Sequence, residues 1–295
     1  MNKPTTNGAF FAVTAYFIWG VLPVYFKQLQ SIPATEILSH RIIWSFLLTI
    51  IIILLLNKRE ALMIALRSKA TRWALLLSTT LIGFNWGLYI WSVNSNHILD
   101  ASLGYYINPL INILLGMLFF RERLDRVRAV ATALCIFAVI LEVVQFGRLP
   151  WIALLLASSF AIYGLVRKKL GVDSFSGMAM ETGLMLPVAI GYLLWSTTPS
   201  SNLLDNNLWT NSLLLAAGPV TMIPLICFAT AANRISLSSL GFFQYISPSC
   251  MFLLAVLVYD EPIQPEKMAT FGLIWLALLI LSIDSVRKYR QSRIS

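Results

Sequence analysis

The chain has 295 residues and a net charge of +9, with only 12% charged residues against 58% hydrophobic. A soluble globular domain carries about 25% charged residues, so composition excludes a soluble enzyme or a soluble nucleic-acid-binding domain. The uncharged residues come in long blocks, of about the 20 residues that carry an α-helix across hydrocarbon, and they do not alternate as barrel strands would.

Charge clusters and Pro, Gly or Asn breaks divide the chain into ten expected helices. The first, 8–28, is too long for a signal h-region and no A-x-A-like site follows it, so it is expected to be a retained span. The second, 34–56, opens with EILSHR and so brings Glu36, His40 and Arg41 to the start of an apolar segment. The third and fourth cover 73–94 and 99–120, and the fifth 127–146. The sixth to tenth cover 149–168, 176–197, 210–232, 236–259 and 267–286. The connections are short, which leaves no soluble domain.

With the N-terminus on the cytoplasmic side, 18 of the 22 Lys and Arg fall in inner segments and three (Lys27, Arg148, Lys267) in outer ones, with Arg41 inside a span. Basic residues concentrate on the cytoplasmic side of membrane proteins. The split therefore predicts a multi-pass protein of the inner (plasma) membrane with both termini cytoplasmic. Each basic cluster, Arg167-Lys168-Lys169 included, reads as a topology signal rather than a nucleic-acid site. Cys135, Cys227 and Cys250 form no CxxC, lie in apolar blocks and read as packing residues. The two histidines are 57 positions apart and build no metal site by themselves. No cofactor and no metal is expected, and no Walker loop or serine–histidine signature supports ATP hydrolysis or covalent catalysis.

The chain repeats itself. WSVNSNHILDASLG (91–104) aligns without a gap on FATAANRISLSSLG (228–241). After a two-residue shift YINPLINILLGMLFFRE (106–122) aligns on YISPSCMFLLAVLVYDE (245–261), so that Pro109 meets Pro248 and Glu122 meets Glu261. YFIWG (16–20) resembles FAIYG (160–164), and Glu36 matches Glu181. The expected architecture is all-α and integral to the membrane: ten transmembrane helices in two five-helix copies, 1–147 and 148–295. An odd number of spans per copy inverts one copy relative to the other, an arrangement found in many secondary transporters.

AYFIWGVLPVYFK (15–27), EILSHRIIWS (36–45), NWGLYIWSVN (85–94), ASLGYYINPLINILLGMLF (101–119), YGLVRKK (163–169) and LGFFQYISPSCMFLLA (240–255) give the chain a further likeness. Over nearly its whole length it resembles the drug/metabolite transporter superfamily, EamA type, and within it the RarD family of permeases. That superfamily is similar in its ten helices, cytoplasmic termini and Pro…Glu ending of the fourth and ninth helices. The resemblance implies transport, mostly export, of small metabolites or drugs.

Two sets of residues are candidates for the work. Glu36 and His40 are four apart and share a helix face, with Arg41 beside them. They form a proton-accepting pair or gate with Arg41 holding them or an anionic group; alternatively Glu36 favours the positive helix start, His40 packs and Arg41 snorkels to the surface. Glu181 reads as a helix-end acid. The second set would line a central cavity: Trp19, Asn85, Tyr89, Tyr105, Asn108, Asn112, Tyr163, Phe243, Gln244 and Tyr245, with Trp86 among them. Aromatic walls with a few amides suit a mid-sized amphipathic solute. Ser102, Tyr105, Pro109, Asn112 and Gly116 make one stripe on the fourth helix, which serves either this cavity or helix packing. The expectation is a permease exporting a small organic solute by alternating access; the rivals are a facilitative channel and an intramembrane enzyme or lipid-handling protein. Expected partners are the solute, membrane lipid and a proton as candidate coupling ion, in a monomer or weak homo-oligomer without nucleic acid.

Overall fold

The computed structural model describes residues 3–94, 97–147, 149–196, 198, 200, 203–259 and 265–294. They form twelve helices: α1 (Lys3–Lys27), α2 (Ala34–Leu55), α3 (Arg59–Arg67), α4 (Lys69–Asn94), α5 (Ile98–Phe120), α6 (Arg126–Phe146), α7 (Trp151–Leu170), α8 (Ser174–Trp195), α9 (Leu208–Ala232), α10 (Leu237–Gln244), α11 (Ile246–Leu257) and α12 (Pro265–Ile294). Among the described residues nine helical segments are long and apolar enough to cross a bilayer, one of them α10 and α11 taken together, and α12 carries a further apolar stretch, Met268–Asp284. Helices satisfy every backbone group internally, which hydrocarbon demands.

The starts are set by short polar side chains. Asp125, Asp173, Asn207 and Ser236 cap α6, α8, α9 and α10 by accepting the N–H of the residue three further on. Gly147 and Gly171 end α6 and α7 in the left-handed region. Two features differ from the sequence reading. The short α3 is an added helix with Met63 and Ile64 exposed beside its charges. The expected ninth span is present as Leu237–Leu257, but its helix is interrupted at Tyr245, between α10 and α11. Pro248 has no N–H to offer the Gln244 carbonyl, which weakens the ladder there.

The packing follows the repeat. Helix α1 lies against α9, α10 and α11, and its counterpart α7 lies against α4 and α5. Helix α2 lies on α9, and its counterpart α8 lies on α4. The pairs α2–α8, α5–α10 and α6–α12 join each helix to its own counterpart. Exchanging the halves maps this pattern onto itself, as expected for two inverted five-helix repeats about a pseudo-two-fold axis.

Close approach at the axis depends on small residues. A Cβ on Gly241 of α10 would lie 2.6 Å from the Pro109 carbonyl oxygen of α5. The same contact is fastened at its end by Glu122, whose carboxylate accepts the N–H groups of Leu237 (2.7 Å) and Ser238 (2.8 Å) at the start of α10. Thus an acid from the first half caps a helix of the second, which is the structural use of the Pro109…Glu122 ending. Its counterpart Glu261 lies outside the described residues. Large apolar side chains cover the outside, among them Phe137, Val144, Val188 and Leu257. A water-soluble monomer rarely exposes such a surface.

Candidate functional site

The start of α1, where Gly8 lies against Arg234 and Ile235, and the end of α7, where Lys168 donates to the Ala232 carbonyl, mark one end of the bundle, here called the basic end. Polar groups inside the bundle gather in three places.

Near the opposite end, Arg41 projects inward from the second turn of α2. Its Nε donates to Thr221 Oγ1 of α9 at 2.8 Å. Its guanidinium lies 5.0 Å from the ring centre of Trp86 on α4 and 5.6 Å from that of Phe26 on α1. The phenols of Tyr25, Tyr89 and Tyr105 are also within electrostatic reach. No described carboxylate pairs with it. The surface-snorkelling alternative for Arg41 is therefore corrected: four helices surround its head.

At mid-height an amide ladder crosses the two halves. Asn108 Nδ2 donates to the Ala157 carbonyl of α7 (2.6 Å), and Asn112 Nδ2 to Asn108 Oδ1 (3.0 Å) and Gln244 Oε1 (2.9 Å). Asn112 Oδ1 is buried without a partner among the described residues. Asn85 Nδ2 donates to the Leu156 carbonyl (2.8 Å) and Ser159 Oγ (2.9 Å), which ties α4 to α7. An aromatic wall lies beside the ladder. Trp19 contacts Tyr16, Phe160 and Phe228, and Tyr163 stacks on Phe228 with centroids 5.9 Å apart. Phe243 packs on the same cluster. Tyr245 belongs elsewhere: it is fully buried among residues of α5, α6 and α12, and its hydroxyl donates to the Tyr106 carbonyl at 3.3 Å.

Towards the basic end lies a buried charge network. Arg167 Nη1 is 3.5 Å from Glu181 Oε1. The same carboxylate accepts from Ser78 Oγ (2.6 Å) and the Tyr163 hydroxyl (3.2 Å). Arg167 and Glu181 are each 2% exposed. Gly177 makes the room: a Cβ there would lie 1.5 Å from Arg167 Nη1. Two expectations are corrected by this. Arg167 is not a surface topology charge and Glu181 is not a solvated helix-end acid; each is the other's partner. Just outside, Lys58 pairs with Asp173 at 2.8 Å. Partial burial pushes the Asp173 carboxyl up, but Lys58 and the Ser176 N–H outweigh it and hold the group below its usual range.

Glu36 and His40 are both buried. Glu36 accepts from Ser196 (3.0 Å) and from Ser200, beyond the end of α8. His40 Nδ1 accepts from Trp44 Nε1 at 3.2 Å, and its Nε2 has no partner among the described residues. The two share a face without a hydrogen bond between them.

The structure thus brings Tyr89, Tyr105 and Arg41 together, and separately Asn108, Asn112 and Gln244; Trp19, Tyr163 and Phe243 form a wall, Asn85 is a tether, and Tyr245 faces away. Sequence reasoning missed Tyr25, Phe26, Thr221, Ser78 and Arg167. The available signal was Glu181, the one acid between Asp173 and Asp205. Among the described residues no group of three His, Cys, Asp or Glu is placed to hold a metal. A groove of about 680 Å³ opens on the flank between α2, α4 and α8, lined by Phe46, Trp73 and Met180 with Lys69 and Arg72. None of the candidate residues lines it.

Comparison with known proteins sharpens the picture. The model of the EamA-like transporter family matches twice, over residues 6–144 and 149–283. The chain belongs to the EamA-like transporter family. An uncharacterized transporter of Vibrio cholerae is 49% identical over 293 residues, covering 99% of this chain and 97% of its own. Protein RarD of Escherichia coli is 48% identical over 294 residues, covering 99% of both. One crystal structure superposes with a TM-score of 0.74 over 95% of this chain and 98% of its own, at 15% identity, which shows the shared EamA-like fold alone. Each half of the pseudo-symmetric bundle thus carries one match to the EamA model.

Proposed function

We propose that this EamA-family protein is a secondary permease that carries a small organic solute outward by alternating access. The observation that carries the reading is the self-mapping packing of the two halves, 1–147 and 148–295, with polar and aromatic groups held at their interface. Two inverted copies of one fold can exchange conformations, so a state open to one face implies a twin open to the other. The protein sits in the inner (plasma) membrane with the basic end and both termini cytoplasmic, as the distribution of Lys and Arg favours. The exposed apolar flank and the groove with Lys69 and Arg72 face lipid. Glu36 and His40 remain the candidate coupling pair, with the proton as the ion. No covalent chemistry is assigned to it.

The test is solute counterflow in proteoliposomes of the purified chain. A carrier loaded inside with unlabelled solute accelerates entry of labelled solute and saturates. A channel gives flux with neither trans-acceleration nor saturation. That result, or no solute movement at all, overturns the reading. If flux keeps the wild-type pH dependence in Glu36→Gln and in His40→Ala, proton coupling at this pair is withdrawn and the carrier reading stands.

A further inference from the structure

Arginine inside hydrocarbon is expensive, about 2.5–3.5 kcal/mol at a helix centre on insertion scales. Bundles usually offset this with a carboxylate, and this one does so for Arg167 with Glu181. Arg41 is treated differently. Its head is bracketed by the rings of Trp86 and Phe26, and only its Nε has a hydrogen-bond partner, the neutral Thr221 hydroxyl. Among the described residues neither Nη donates to anything and no acid pairs with it. Its neighbours come from α1, α4, α5 and α9, and the side chain is half-buried among them.

The arrangement is a fixed cation with one edge unused. Thr221 holds the Nε side, and the two rings flank the guanidinium. The free Nη pair presents the fork that matches a carboxylate with two parallel hydrogen bonds. One positive charge balances one negative charge. The aromatic neighbours suit an apolar or aromatic body, and of the Tyr89 and Tyr105 phenols, which hydrogen-bond to each other, one hydroxyl hydrogen is left to donate. An amine is repelled by the same cation.

We propose that Arg41 is the anion-binding residue of the transport site, and that the solute is a small organic monocarboxylate with an apolar or aromatic body. This rests on the permease reading above and adds the substrate class to it.

The test uses the full-length purified protein and three pairs of probes: benzoate, phenylacetate and indole-3-acetate, each against its uncharged amide. Thermal shift and tryptophan fluorescence report binding. A ligand of the folded state raises the melting temperature with concentration. The carboxylates are expected to bind at least about tenfold more tightly than the amides. Arg41→Gln is expected to remove that preference, and Arg41→Lys to keep part of it. The carboxylate–amide comparison in the wild-type protein needs no variant, so it stands even if Arg41→Gln folds poorly. Equal binding of amides and carboxylates, unchanged carboxylate affinity in a folded Arg41→Gln protein, or no carboxylate binding in the panel each overturns the proposal. Counterflow separates the two readings. Counterflow of uncharged solutes without carboxylate preference keeps the permease and removes the anion site. Carboxylate binding without counterflow keeps the anion site and removes the permease.

Discussion

Arg167 and Glu181 show most clearly what one residue can do in this bundle. Removing one member of a buried ion pair strands the other charge, at a cost of about 3–5 kcal/mol. Glu181→Gln is therefore expected to lower the melting temperature strongly, whereas the double variant Glu181→Met with Arg167→Met recovers most of the loss. A small effect of Glu181→Gln alone would mean that Arg167 finds another partner. Tyr105 and Tyr245 make the complementary pair for function. Tyr105→Ala is expected to reduce the initial rate of counterflow at least about tenfold, a loss of the size of one hydrogen bond. Tyr245→Phe, on the α6–α12 side, leaves the rate near wild type, and equal effects would contradict a transport site beside Arg41 and Tyr105. At Asp173 the prediction concerns pH. The folded-state pKa lies below the usual range, so the stabilisation is present at neutral pH and is lost as pH falls through that depressed value. Melting temperature recorded on the acid side should fall less steeply in Asp173→Asn than in the wild-type protein.

At the scale of elements, the contact of α5 with α10 holds the halves together. Gly241 leaves no space for a methyl group beside the Pro109 carbonyl, so Gly241→Ala is expected to destabilise the protein by about 1–3 kcal/mol. A melting curve checks this, and an unchanged one would mean that α10 moves away freely. The same region marks how far the sequence could be read. Ten spans were legible because uncharged blocks and charge clusters are local signals, and the repeat was legible from the Pro109/Pro248 and Ser-Leu-Gly matches. The break at Tyr245 was not. Pro109 stands in the same sequence context as Pro248, yet α5 runs through it unbroken. The proline motif alone therefore does not decide where a helix is interrupted. The inward turn of Arg167 was hidden too. Arg-Lys-Lys at a helix end reads as a topology signal, and only Gly177 across the turn into α8 gives the guanidinium room to bury. Arg41 stands out in the sequence as the one Lys or Arg placed inside a span, but its partners Phe26, Trp86 and Thr221 come from three other helices and no spacing joins them.

At the scale of the molecule, the proposal of alternating access has two inverted halves exchange roles. The packing pattern maps onto itself, the EamA model matches each half, and the polar ladder of Asn108, Asn112 and Gln244 crosses between them. If the halves rock about that ladder, the two ends of the bundle must move in opposite senses. Spin labels can read this directly. One pair would be placed at the basic end, on Arg123 and Asn233, and a second at the opposite end, on Gln30 and Leu208, all in exposed positions. The measurement is the distance distribution of each pair in lipid, with and without a solute that shows counterflow. The account predicts that as one distance shortens the other lengthens. Two distances that stay fixed while solute is carried, or that lengthen together, would contradict alternating access between the repeats.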